Sequence, residues 1–139
     1  MAKRVCRDCK EAGRPLTRPA PHPGPRCATC HRARRKASQK AAHGRRIEQV
    51  YGITEYEYDA LYEAQGGVCA ICLRATGKVR KLAVDHDHAI GDGKREAVRG
   101  LLCKSDNRLL GFARDDPEFF RRAMNYLLDP PARKVLNGE

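Results

Sequence analysis

Asp85-His86-Asp87-His88 sets four ionisable side chains in succession directly after the apolar Leu82 and Val84. Burying so many polar groups is costly unless partners or a metal ion satisfy them, so the run asks for a functional explanation. On an extended chain alternate side chains share a face, which sets Asp85 and Asp87 against His86 and His88 unless a turn begins early. A carboxylate beside an imidazole supplies an oxygen ligand for a hard cation and a proton acceptor that titrates near neutrality. Downstream, Cys103, Asp106 and Asn107 stand at i, i+3 and i+4, within one turn of a helix. The first two can close a metal site with Cys69 and Cys72, while Asn107 can present its amide oxygen toward the Asp-His strand.

Cys6/Cys9, Cys27/Cys30 and Cys69/Cys72 form three C-x-x-C pairs, with Cys103 left over. Disulfides are the alternative to metal. The opening Met-Ala-Lys-Arg-Val-Cys has no apolar stretch suited to export, so a reducing compartment, the cytoplasm, is expected and zinc becomes the leading explanation. The first two pairs are 17 residues apart. They fit a four-cysteine zinc ribbon whose metal contributes the folding energy that so small a core lacks. No run approaches the roughly 18 apolar residues of a membrane span, so no membrane partner is expected.

Elements must position these groups. Pro15, Pro19, Pro21, Pro23, Gly24 and Pro25 exclude helix and central strand between the ribbon's knuckles, leaving a loop held at both ends. Residues 31–50 favour helix by composition yet carry no continuous apolar stripe, so a basic connector with a weak point at Gly44 is expected. Thr54-Glu-Tyr-Glu57 is a capping box, opening a helix that runs to about Gln65 and stops at Gly66-Gly67. Its Tyr58, Leu61, Tyr62 and Ala64 are core candidates. A β-leaning stretch containing Val79, Leu82 and Val84 leads into the Asp-His run, a turn at Gly91-Asp92-Gly93 follows, and Val98 to Leu102 forms a second strand. A helix begins at Cys103, completing a ββα unit. Asp116-Pro117 then caps a helix bearing Phe119, Phe120, Ala123, Met124, Tyr126 and Leu127, which packs into the core or against a second chain and ends at Pro130-Pro131.

The net charge of +11 is unevenly placed. Residues 1–50 carry 14 Lys and Arg against Asp8, Glu11 and Glu48, while residues 51–139 carry 14 of each sign. A basic excess confined to one arm suits phosphate binding, although a solvated basic tail has the same composition. Arg32, Arg34, Arg35, Lys36, Arg45 and Arg46 are the candidate contacts to nucleic-acid phosphates, joined by Arg99 from the second strand.

Tyr51-Gly-Ile-Thr54, Gly66-Gly-Val-Cys-Ala-Ile-Cys72, Val84 to His88, Val98 to Cys103 and Asn107-Arg-Leu-Leu-Gly111, taken in order, closely resemble the phage recombination endonuclease VII family. The resemblance covers about residues 51–128 and leaves the ribbon outside. It implies a ββα-metal (HNH) nuclease that cleaves branched DNA, such as Holliday junctions, as a homodimer in the host cytoplasm. It also implies Asp85 and Asn107 as ligands of a catalytic Mg²⁺, with Mn²⁺ as an alternative, His86 as general base, and His88 and Asp87 in support. Where the family pattern has a second downstream cysteine, this chain has Asp106. Zinc accepts a carboxylate oxygen, so Asp106 is the candidate fourth ligand beside Cys69, Cys72 and Cys103, an open site or a nearby His being the alternatives.

The expected architecture is therefore a small, zinc-stapled α+β protein. Residues 1–30 form a zinc ribbon, residues 31–50 a basic helical connector, and residues 51–139 a nuclease domain with flanking helices. Two structural zinc ions and one catalytic magnesium are expected, with branched DNA as substrate. A less selective HNH endonuclease acting on duplex DNA and an inert double-zinc DNA-binding protein are the competing functions.

Overall fold

The computed structural model describes residues 4–138; Met1 to Lys3 of the expected ribbon and Glu139 lie outside the described residues. The chain is a small α+β protein of two compact units, one ending at Glu55 and the other beginning at Tyr56.

The first unit contains α1 (Arg7–Glu11) and α2 (Ala28–Tyr51). The proline-rich stretch between them is a loop, as expected, tied down by an antiparallel bridge between His22 and Arg26. Arg26 is buried, its Nε donating to both carboxylate oxygens of Asp8 at 3.1 and 3.0 Å. Its guanidinium passes so close over Gly24, φ +75°, that a Cβ there would lie 2.2 Å from Nη1. One arginine of the basic arm is thus structural. The first unit's buried cluster consists of Ala20 and the four thiols Cys6, Cys9, Cys27 and Cys30.

Helix α2 runs unbroken for 24 residues, about 36 Å, and stops at Gly52, φ +68°, whose N–H donates to the Glu48 carbonyl. The weak point expected at Gly44 is not found. A Cβ on Gly44 would come within 3.3 Å of a Glu55 carboxylate oxygen, so the glycine makes room for a side chain packed alongside the helix. Only Cys30 and Ile47 of α2 are buried, leaving its arginines and lysines exposed.

Helix α3 (Glu55–Ala64) starts at the boundary, and its buried Tyr58 donates its hydroxyl to the Leu82 carbonyl at 2.8 Å. The Gly67 N–H donates to the Tyr62 carbonyl and that of Gly66 to the Glu63 carbonyl, both glycines at positive φ. This paired pattern ends the helix and places Gln65. Strand β1 (Ala83–His86) pairs antiparallel with β2 (Val98–Leu102), Asp85 opposite Gly100 and His86 opposite Val98, so Arg99 is the extra residue of a bulge. Gln65 pairs with β2 at Leu101, accepting from its N–H at 2.8 Å and donating to its carbonyl at 2.9 Å. Gly100 lies beneath that amide; a Cβ there would meet it at 3.1 Å.

The β-leaning stretch is shorter than the sequence suggests, because Val79 is fully solvent-exposed and lies outside β1. Helix α4 (Lys104–Phe112) follows β2 with Cys103 as its N-cap and packs against both strands. The second unit's core gathers around Leu82, Val84, Leu101 and Leu102.

Asp116 caps α5 (Pro117–Leu128), accepting from the Glu118 N–H at 2.9 Å, and Pro131 opens a further short helix, α6 (Pro131–Asn137). The core-packing alternative for α5 fails, because none of its residues is buried. Phe119, Met124, Tyr126, Leu127 and Leu128 are 41–74% exposed.

Candidate metal centres and the Asp-His strand

The four buried thiols of the first unit come from two similar devices. In each, the first cysteine of a C-x-x-C pair precedes a helix and the second lies within its first turn, which turns both sulfurs to one side. All seven cysteines are free thiols. Cys9 Sγ lies 3.9 Å from Cys27 Sγ and 3.6 Å from Cys30 Sγ. A tetrahedral zinc site with Zn–S of about 2.3 Å has sulfur–sulfur edges of about 3.8 Å, so the cluster fits that ion and does not fit disulfides. The backbone N–H of Cys27 leads in lowering the Cys6 thiol to about 6. The Cys27 and Cys9 side chains, with burial, push Cys30 up to about 12. Four sulfurs held this close share their protons unevenly until a cation lets all of them ionise.

The second cluster gathers Cys69, Cys72, Cys103 and Asp106, with ligand atoms all within 4.8 Å of one another. Cys69 Sγ donates to Asp106 Oδ2 at 3.0 Å. The thiols hold the Asp106 carboxyl below the usual carboxylate range, Cys69 first, against the opposing effect of burial. Asp106 thus occupies the corner that a fourth cysteine would take, and the donor set suits zinc.

Asp85 sits in β1 at only 6% exposure. Its two oxygens accept from Arg99, Oδ2 from Nε at 2.7 Å and Oδ1 from Nη2 at 3.0 Å. Arg99 Nη2 also donates to Asp115 Oδ1 at 3.0 Å, and His88 Nδ1 lies 3.5 Å from Asp115 Oδ2. Asp85 and Asp115 raise the Arg99 guanidinium further above its ordinary range. Asp115 is held below the usual range by Arg99 and then His88, which outweigh its burial. Asp115 itself has φ +55°, a left-handed conformation that sets its carboxylate just past the end of α4.

The strand's strict alternation ends at His86. Asp87 Oδ1 accepts from the Ala89 N–H at 2.8 Å, and the chain turns there. Asp87 therefore serves the turn. His86 and His88 stay on the same side past the end of the strand: their ring centroids are 4.5 Å apart. His86 Nε2 lies 2.8 Å from Asp92 Oδ1, and His86, His88 and Asp92 form a third group of closely spaced donor atoms. Asn107 is half-buried in the first turn of α4, its N–H donating to the Cys103 carbonyl.

The structure thus brings together Asp85, His86 and His88, and adds Asp92 and Asp115, which residue order alone does not single out. The Gly91-Asp92-Gly93 stretch is legible as a turn, but nothing local marks its carboxylate as a partner for His86. Arg99, expected on DNA, is engaged with Asp85 and Asp115. Arg32, Arg34, Arg35, Lys36, Arg45 and Arg46 are all exposed on α2.

Two clusters suited to zinc, a two-stranded sheet and an ionisable run at the end of its first strand define a small α+β protein whose cysteine clusters could hold zinc. The family model described as recombination endonuclease VII matches residues 44–129, more than half of the chain. The Gene 59 protein of Mycobacterium phage L5 is 53% identical over 135 residues, covering 96% of this chain and 79% of the relative. The Gene 59 protein of Mycobacterium phage D29 is 50% identical over the same shares. No solved structure matches the chain. The chain belongs to the recombination endonuclease VII family. The family model leaves most of the first unit outside, whereas the two relatives align with nearly the whole chain. No helix among the described residues is long and apolar enough to cross a membrane.

Proposed function

We propose that this protein is an HNH-type (ββα-metal), Mg²⁺-dependent endonuclease that cleaves branched DNA, with Mn²⁺ able to replace Mg²⁺, acting as a homodimer in the host cytoplasm. The observation that carries the reading is the Asp85-His86 pair at the end of β1, with α4 packed against the same two strands, inside the segment that matches the family. Asp85 and Asn107 would hold the divalent cation, whose positive charge would offset the charge developing on the phosphate and on the departing 3′-oxygen.

His86 acts as general base. Its Nε2 lies 2.8 Å from Asp92 Oδ1, a pairing that holds the imidazole in place to take a proton from water. The water oxygen bonds to phosphorus as the P–O3′ bond breaks, and the proton ends on His86. Asp92 and His88 orient the imidazole, and Asp87 supports the turn that follows the strand. The test is nicking of a supercoiled plasmid with and without Mg²⁺ at constant ionic strength. Asp85→Asn and Asn107→Ala are expected to abolish the Mg²⁺ response, and full activity without a divalent cation would overturn the proposal.

Both cysteine clusters are assigned structural zinc. Asp106→Ala is expected to lower the zinc content from two ions per chain toward one. Elemental analysis checks this, and an unchanged content of two would remove Asp106 from the ligand set.

The exposed cations of α2 are assigned to DNA phosphates. Arg32, Arg35 and Lys36 stand at i, i+3 and i+4 on one face. Their combined replacement by Gln is expected to reduce the slope of log binding constant against log salt by about 3, roughly 0.9 for each phosphate no longer neutralised. An unchanged slope in a filter-binding titration would make the helix a bystander. For the homodimer, the support is the exposed apolar side chains of α5.

A further inference from the structure

Asp85 is nearly buried, yet its negative charge is already neutralised within the chain. Both of its oxygens are held by one guanidinium, in the fork geometry that makes an Arg-carboxylate pair strong and directional. The same guanidinium reaches a second carboxylate, Asp115, through Nη2. Arg99 can occupy this place because it is the bulged residue of β2, opposite neither Asp85 nor His86 in the register. A cation liganded by Asp85 would need an oxygen that Arg99 holds, and two positive charges on one carboxylate repel each other.

We infer that Arg99 is a positioning residue that competes with the divalent cation for Asp85, and that Asp115 retains the guanidinium at the site when the cation takes Asp85. The inference rests on the reading that Asp85 is a cation ligand. Arg99 stabilises the ionised, buried Asp85 while no cation is bound, since a buried charge left without a partner is strongly unfavourable. When a cation arrives, the Nε and Nη2 bonds to Asp85 loosen and the bond to Asp115 remains. The guanidinium then has donors to offer to an oxygen of a bound phosphate, so release from one partner is coupled to capture of another. Asp115, through His88, also links this exchange to the imidazole pair.

The primary test uses the full, zinc-loaded wild-type protein and needs no variant. The Arg99 Nε–H resonance is followed by NMR during a Mg²⁺ titration; a large shift with faster solvent exchange is expected, and an unmoved resonance at saturating Mg²⁺ overturns the exchange.

The second test measures Mn²⁺ affinity by electron paramagnetic resonance in wild type, Arg99→Gln, Arg99→Lys and Asp85→Asn. Arg99→Gln is expected to bind Mn²⁺ about tenfold tighter than wild type and to gain more melting temperature from it, because the ion then neutralises a charge that nothing else does. Arg99→Lys, which keeps the charge but loses the fork, should fall between them and covers the case in which the Gln variant does not fold. Equal or weaker Mn²⁺ binding in both variants overturns the competition. Asp85→Asn separates the two claims: if it leaves Mn²⁺ binding unchanged, Asp85 is not a ligand and the underlying reading fails first.

Discussion

His86→Ala is expected to lower the rate of DNA cleavage by about 10²–10⁴-fold, the usual contribution of a positioned general base. The same variant should bind DNA as tightly as wild type and keep its zinc content. The reasoning follows from where His86 sits. It ends β1 and is only partly buried, unlike Val84 and Asp85 before it. Its partner Asp92 is an exposed turn residue, 80% accessible, so truncating the imidazole leaves that carboxylate in water and not stranded in the core. The loss should therefore appear in the chemical step. Single-turnover cleavage with enzyme in excess reads it directly. A reduction of less than about threefold would transfer the base to another group, and His88, 4.5 Å away ring to ring, would be the first to test.

Loss of the ribbon metal should have the largest effect on structure. Cys9→Ser is expected to unfold the segment from α1 to the start of α2 while the second unit keeps its fold. Among the described residues the buried cluster around the loop consists of four cysteines and one alanine, so the loop loses its buried anchor when the cluster fails. Structural zinc contributes about 10–16 kcal/mol in small zinc-finger peptides, as much as the whole stability of many domains. The second unit is independent of that cluster, with its own apolar core at Leu82, Val84, Leu101 and Leu102. Amide hydrogen exchange resolves the two outcomes: protection should disappear from the first ~30 residues and persist at Leu101 and Leu102. Retained protection around Arg7 and Arg26 in Cys9→Ser would show that the Arg26–Asp8 pair and the loop suffice without zinc.

Much of the site is legible in the sequence because its signals are local. C-x-x-C spacing directs two sulfurs to one side whatever the rest of the chain does, and Cys103 with Asp106 obeys helical spacing, so both metal clusters can be read from residue order. The glycines after α3 and Asp116-Pro117 are likewise contained within a few residues. What escapes depends on partners that no local motif names. Gln65 pairing with Leu101, Arg99 with Asp85 and Asp115, and Asp92 with His86 are choices made by tertiary packing among many equivalent polar side chains. Gly44 misleads for the same reason: its helix cost is local, but the Glu55 side chain that lies beside it is not. Val79 carries strand propensity without a buried face to use it.

Helix α5 shows that a correctly read element need not go to the core. Its period and caps are as the sequence indicates, yet its apolar side chains stay on the surface of the chain. Periodicity reports that a face is apolar, and not what covers it.

The most direct test of the proposed function is cleavage of a synthetic four-way junction and of a linear duplex of the same sequence by the purified, zinc-loaded protein in Mg²⁺. Paired nicks near the branch point, with the duplex spared and His86→Ala silent on both substrates, are the predicted result. Equal cutting of junction and duplex would contradict the branched-DNA assignment while leaving the nuclease chemistry intact, and no cutting of either would contradict the endonuclease itself.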